Sequence, residues 1–484
     1  MFSNLKTVLK DLGSILVILG VLMFLLLPVA YVFRELFVIK PLVFTAIAAL
    51  ALGFSLRFPF KHAKEPEFKH AMVCAALAWL VVPALSSLLF IMIEDMSPLD
   101  SFFEAMSGWT GTGLTMVAHP SSLTHTAQFW RSLMQWVGGV GVIVLMLSIL
   151  ARPGTGAFAL YRAEAREERI KPSIISTVRM TWWIYLILTS FGILLFFLAG
   201  MKPWEAVNHA MTALGTGGFT VTDKSMAYYG NCLIELAVIP MMILGAIPFL
   251  VHYKALKGNF KTLFKDVQCR AFAVTLVILL APLFAANYAL YGDVLNSLRF
   301  SSFQLISGLT CTGFQTTGVH DWSGTGIMIM CMSMIIGGGM GSTAGGVKLI
   351  RVAIAYKWIR WSLRRNFLPP HAIISVRLGD RLLEKEEIVK IVSESSLIII
   401  LWLLFLFAGI CVLSSVVGSQ FQLGEVMFEV ASAQGNVGLS TGITNAGMPY
   451  IAKVMLILNM WIGRLEIIPV LMLFRALMKG FEPI

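Results

Sequence analysis

Ten apolar stretches dominate this chain, near residues 12–33, 36–56, 71–94, 127–150, 179–200, 231–252, 271–291, 325–347, 393–415 and 452–474. A bilayer core takes roughly 20 such residues as one helix, so the pattern predicts an all-α polytopic membrane protein. Composition agrees: 57% of the 484 residues are hydrophobic and 13% are charged, about half the charge of an ordinary soluble chain. Lys6 and Lys10 precede the first stretch in the manner of a secretory signal, but its apolar run is too long for a signal core. It is expected to be a span.

Lysine and arginine are unevenly shared between the segments that join the spans. With both termini on one side, that side holds 29 of the 37 Lys and Arg residues and the other holds 7, with Arg464 inside the last span. Basic segments stay on the cytoplasmic side, so both termini are expected there, in a cytoplasmic (inner) membrane. The net charge of +11 then reflects topology and contact with the anionic headgroups of the lipid bilayer; it is no argument for nucleic acid. Cys74, Cys232, Cys269, Cys311, Cys331 and Cys411 are scattered, without a CxxC pair or a His at ligand spacing. They suit apolar packing, with neither disulfide nor metal site implied.

Between the third and fourth spans, Leu99 to Met106 forms a short amphipathic helix, followed by SGWTGTGLT at 107–115. The arrangement recurs as WEAVNHAMTALGTGGFT (204–220), FSSFQLISGLTCTGFQ (300–315) and EVMFEVASAQGNVGLST (425–441). Aligned without gaps, Gly113, Gly218, Gly313 and Gly438 share one column, 105, 95 and 125 residues apart. Each unit is span, pore helix, filter loop, span. The basic segments put all four in one orientation, giving parallel repeats with pseudo-fourfold symmetry, unlike the inverted repeats of many secondary transporters. The expected divisions are an N-terminal extension of two extra transmembrane helices (1–67) and pore repeats at 68–178, 179–269, 270–390 and 391–484.

Such a unit suits ion dehydration. Backbone carbonyls can replace the water that a cation loses in a pore, and glycine adopts the angles that turn successive carbonyls inward. The candidate selectivity-filter residues are Thr110, Gly111, Thr112 and Gly113; Gly215, Thr216, Gly217 and Gly218; Thr310, Cys311, Thr312 and Gly313; and Gly435, Asn436, Val437 and Gly438. Hydroxyls of Thr110, Thr112, Thr216, Thr310, Thr312 and Ser440 could add oxygens, and the carbonyl ends of the short helices favour a cation. Turn or packing glycines are the ordinary alternative for one loop, and a poor account of four in register.

These residues resemble the Trk/Ktr/HKT superfamily of potassium transporters, over essentially the whole chain. The most specific pieces are Gly435-Asn436-Val437-Gly438-Leu439-Ser440, the segment from Gly337 to Lys348, Gly463-Arg464-Leu465-Glu466, and the stretch from Pro370 to Asp380. The two extra spans favour the Trk branch. The resemblance implies a single-chain pore with four filter loops binding K+ (and Rb+), working as a homodimer with a cytoplasmic nucleotide-binding regulatory protein of the TrkA kind. A glycine in every filter goes with potassium selectivity in the family, and a serine in the first filter with sodium permeation. Gly111 stands where Thr is commoner, and Cys311 is a second departure; both matter only if hydroxyls contribute to selectivity.

The gate is expected at Gly337, Gly338, Gly339, Gly341, Gly345 and Gly346, which interrupt the eighth span at about 1 kcal/mol per helical glycine relative to alanine. The hypothesis is an intramembrane loop below the filter; close packing of spans can coexist at Gly337 and Gly341. A phosphate loop is excluded by Val347 before Lys348 and by the location within a span. Arg464, whose lone charge costs at least ~2.5 kcal/mol in a bilayer, is expected to face the pore against carbonyls of that loop and oppose cations. The other reading makes it an anchor to Glu466 or a buried carbonyl. Glu94, Asp95, Asp100, Glu104, Asp223, Asp321, Glu425 and Glu429 could gather cations at the outer mouth, although each alone suits an ordinary interfacial charge. His209, aligned with Glu104, is expected to pack in its pore helix. The basic segment 348–390 is either a solvated topology signal or a docking site for the regulator, with 152–179 and 254–270.

Three functions remain open at this level. A gated channel-like importer needs only the membrane potential. A sodium- or proton-coupled symporter is the alternative, and the absence of Asp, Glu or His chains within the spans argues against protons alone. A membrane enzyme lacks any cluster of nucleophile, base and metal ligands; no catalytic residue and no tightly bound cofactor beyond K+ in the filter are expected.

Overall fold

The structure is a computed structural model that describes residues 2–64, 67–141, 174–367, 376–378, 381–383 and 385–481. Its first two helical spans, Asn4–Val32 and Leu36–Phe60, pack along one another. Small residues set that contact. A Cβ on Gly13 would lie 2.6 Å from the Gly53 carbonyl oxygen, and one on Gly53 would lie 2.8 Å from that of Gly13.

Four units follow. Their first spans are Lys69–Ile93, Val178–Leu198, Val267–Tyr291 and Ile391–Val417. Their short helices are Pro98–Thr110, Pro203–Leu214, Val294–Leu309 and Leu423–Gly435. Sequence explains where the short helices start. Ser97 accepts the Asp100 N–H ahead of Pro98, and Asp293 accepts the Asn296 N–H. Glu205 and Glu425, on the first turns of the other two, reach back to the N–H of Lys202 and Gln422 at 3.4 and 2.7 Å. These side chains satisfy donors that a helix start leaves open. Spans present apolar faces outward, as with Val274, Val277 and Ile278, which suits lipid.

The second span of three units differs from the continuous helix that its apolar run predicts, while that of the third breaks at the glycine segment where a loop is expected. In the first unit the helix His125–Val140 stops at Gly141; positions 142–150, and most of the basic segment 152–179, lie outside the described residues. In the second, Cys232–Ala246 and Phe249–Leu256 meet at 107°, because Ile247 is extended ahead of Pro248, as a residue before proline prefers. In the third, Gly324–Ile336 ends at Gly337 and helix resumes only at Leu349–Asn366. In the fourth, Tyr450–Leu465 and Ile468–Lys479 meet at 108°, with Glu466 and Ile467 both left-handed. Hydropathy does not register the break after Ala246, since the residues on either side remain apolar.

Among the described residues the regular structure is otherwise helical apart from a short hairpin in the basic segment, where Val376–Leu378 pairs antiparallel with Arg381–Leu383. Positions 370–375, 379 and 380 of the stretch singled out there lie outside the described residues. Replacing Gly53 by leucine should overpack the first two spans, at a cost of about 1–3 kcal/mol. A lower melting temperature in detergent with unchanged ion preference is the expected outcome; an unchanged melting temperature would contradict the close contact.

Candidate functional site

The four glycine loops share one backbone course. Each short helix ends with two backbone bonds of the same offset, for example Gly111 N–H to Gly108 O and Thr112 N–H to Ser107 O in the first loop, and Asn436 to Ala433 and Val437 to Ser432 in the fourth. The second residue of every loop is left-handed (Gly111, Thr216, Cys311 and Asn436), and so is the fourth, Gly113, Gly218, Gly313 and Gly438. The second position therefore carries modest strain wherever it is not glycine or asparagine.

The fourth position requires glycine for a second reason. A Cβ on Gly113 would lie 2.1 Å from the Gly217 oxygen, one on Gly218 2.1 Å from Thr312 O, one on Gly313 2.0 Å from Val437 O, and one on Gly438 2.3 Å from Thr112 O. Each glycine thus abuts the third carbonyl of the next unit, in the order one, two, three, four and back to one. The loops close into a ring. All four glycines line a single cavity of 430 Å³ on the far side of the loops.

Residues 39–480 match the TrkH family, described as cation transport proteins. The chain belongs to the TrkH family. An uncharacterized cation transporter of Methanocaldococcus jannaschii is 34% identical over 482 residues, covering 98% of this chain and 96% of that one. The Trk system potassium uptake protein TrkH of Salmonella typhimurium is 30% identical over 444 residues, covering 89% and 90%. The crystal structure of the potassium transporter TrkH from Vibrio parahaemolyticus superposes with a TM-score of 0.83 at 28% identity, over 97% and 98% of the two chains. That structure has the same fourfold repeat. The family is one of transporters and not of enzymes.

In this TrkH-family chain the loop hydroxyls are engaged within the protein. Thr110 and Thr310 each donate to a carbonyl four residues back, at 2.7 Å, and each pairs with the next threonine at 2.7 and 2.8 Å. The Thr216 hydroxyl bonds Gly215 O and Thr343. The cysteine in the third loop is buried beside them. Carbonyls are what the ring leaves to offer.

Nine residues before each ring glycine stands an acceptor that ties down the chain beyond the ring. Glu104 accepts the Met116 N–H at 2.9 Å, His209 Nε2 that of Val221 at 3.3 Å, Gln304 that of Thr316 at 3.1 Å, and Glu429 that of Thr441 at 3.0 Å. Sequence reading placed Glu104 and Glu429 at the outer mouth, yet both are fully buried. Fourfold alignment could have revealed this column, since all four residue types accept hydrogen bonds. Glu104 is held by Arg131 at 2.7 Å, and Arg131 also donates to Thr220 O. Asp100 pairs with Lys453. Of the eight acids, only Asp223 lines the cavity, where the Ser121 N–H and hydroxyl hold its carboxyl below the usual range.

Opposite the cavity, residues 337–348 pack under the ring. Gly337, Gly341 and Gly346 are left-handed. The segment is pinned to the second unit by Gly339 N–H to Ala246 O, Thr343 N–H to Gly245 O, and the Thr343 hydroxyl to Leu214 O. A Cβ on Gly345 would lie 2.1 Å from Gly435 O, so the segment also touches the fourth loop. Arg464 donates to Thr343 O at 2.9 Å, to Gly138 O at 2.5 Å and to Gly139 O at 3.0 Å. It bridges the glycine segment and the end of the first unit's second span. Glu466 accepts from Arg351, an ion pair that sequence spacing did not suggest.

His209→Gln should preserve cation transport and thermal stability, because Gln304 already fills the equivalent place. His209→Leu should lower both by removing the acceptor. Equal behaviour of the two variants would mean that the tether is dispensable.

Proposed function

We propose that the chain is the pore-forming subunit of a potassium uptake system. The observation that carries this is the closed ring of four left-handed glycines, each against the next unit's carbonyl and all opening on one cavity. A ring of backbone oxygens without mobile hydroxyls suits a weakly hydrated cation such as K+ or Rb+. The potassium transport named for the Salmonella and Vibrio relatives supports the same substrate. The proposed filter is the set of loop residues 110–113, 215–218, 310–313 and 435–438.

In this reading the cavity is the outer vestibule and the termini are cytoplasmic, in keeping with the 29-to-7 distribution of basic residues. The glycine segment and Arg464 form the gate. With the guanidinium bonded to carbonyls under the ring, a fixed positive charge opposes cations until segment and arginine separate. Uptake through the open gate is driven by the membrane potential, roughly 2.3 kcal/mol per charge at 100 mV. A homodimer and a cytoplasmic nucleotide-binding regulator of the TrkA kind complete the proposed system, with the basic stretch 348–390 as a docking surface.

In proteoliposomes, flux should follow K+ and Rb+ over Na+ and Li+, and Gly113→Ser should admit Na+ by displacing the Gly217 carbonyl. Flux blind to cation identity in both proteins would contradict the filter. Flux that depends on Na+ or pH at fixed potential would favour coupled symport. Arg464→Ala should raise potassium flux with normal membrane insertion; unchanged or lower flux would contradict the barrier.

A further inference from the structure

The four acceptors behind the ring differ in charge. His209 and Gln304 accept as neutral groups, and Glu104 is neutralised by Arg131. Glu429, fully buried, has no ion pair among the described residues. Instead it is surrounded by donors: the Ser440 hydroxyl at 2.8 Å, the Thr441 N–H and hydroxyl at 3.0 and 3.2 Å, the Thr444 N–H at 3.1 Å, and the Thr444 hydroxyl. The Ser440 hydroxyl is oriented toward Glu429 by the Gly442 N–H, which donates to it at 2.9 Å. Two of these donors are backbone N–H groups of fixed direction, one on each carboxyl oxygen, and they favour the carboxylate against the desolvation of burial.

Ser440 and Thr444 also line the cavity. Its charged lining residues are Arg131, Asp223 and Lys224, and Arg131 is offset by Glu104 while Asp223 and Lys224 cancel in sum. Lys453, which bonds Ala446 O on the loop after Thr444, is held by Asp100 at 2.5 Å. Among the described residues, Glu429 is left as the charge bonded to the cavity wall without an opposite partner.

We infer that Glu429 is the fixed negative charge that loads the vestibule with monovalent cations, acting through the polarised hydroxyl oxygens of Ser440 and Thr444. The inference rests on the transport reading above. A hydroxyl that donates to a carboxylate presents a more negative oxygen to its other side, so the buried charge is relayed to the cavity wall without being exposed. A low-dielectric wall makes one such charge effective at raising the local cation concentration.

The test is rubidium uptake into proteoliposomes as a function of external Rb+, at low ionic strength, for wild type, Glu429→Gln and Glu429→Asp. Glu429→Gln should raise the half-saturating concentration by about three- to tenfold, with maximal flux and the Rb+/Na+ ratio retained, and Glu429→Asp should recover most of the shift. An unchanged half-saturating concentration in Glu429→Gln would overturn the inference, and so would a lost Rb+/Na+ ratio, which would make Glu429 only a support for its loop. Should Glu429→Gln fail to fold, wild type carries the test: an impermeant salt must screen the charge and raise its half-saturating concentration, and indifference to that salt overturns the inference. Absence of cation flux in wild type with its regulator would instead strike the transport reading.

Discussion

Each ring glycine lies so close to the next loop that a methyl group in its place would overlap a carbonyl oxygen, and this contact passes unit to unit until it closes. A single loop of this kind would be an ordinary left-handed turn at a helix end. Four of them, interlocked, fix one another's position, because no carbonyl can swing without meeting the neighbouring glycine. The rest of the molecule supports that ring. The short helices set the height of the loops. The column of Glu104, His209, Gln304 and Glu429 ties the chain beyond it. The second spans press in behind: a Cβ on Gly138 would meet Trp109 O at 2.1 Å, and one on Gly463 would meet Gln434 O at 1.9 Å.

The same second spans carry the asymmetry that a gate requires. All four are interrupted shortly after passing the loops, but in four different ways: a left-handed glycine, a proline bend, a glycine-rich segment, and a pair of left-handed residues. Among the described residues, the third inserts a dozen residues under the ring and the fourth brings an arginine to meet it. Arg464 reaches carbonyls of two other units, so the fourth unit's bend and the third unit's segment form one assembly. The Arg351–Glu466 pair then joins this assembly to the helix Leu349–Asn366. Fourfold symmetry organises the proposed filter, and departures from it organise the proposed gate.

Much of this was legible in the sequence. The four loops announce themselves by gapless alignment, and six glycines in an apolar run can hardly be a plain helix. The cost of a lone charge in a span points Arg464 either at loop carbonyls or at another buried carbonyl, and it bonds both kinds, Thr343 O and Gly138 O. What stayed hidden depends on direction rather than composition. Glu104 and Glu429, taken singly, read as surface acids; only the alignment column that they share with His209 and Gln304 marks them as inward-facing acceptors. The bend at Ile247 lies in an uninterrupted apolar run, and at Glu466 the charges mark the place without showing that the helix turns there. Thr110 and Thr310 could serve an ion or their own helix, and only their bonds to Met106 O and Ile306 O decide between the two.

The most direct measurement is the position of a bound heavy congener, rubidium or thallium, located by anomalous scattering in crystals of the protein. The account predicts peaks on the axis of the ring, among the carbonyls of Thr112, Gly217, Thr312 and Val437, weakened when Gly313 is replaced by a larger residue. Ions found only at the surface or in the interfacial charge clusters, with the axis empty at saturating rubidium, would contradict it.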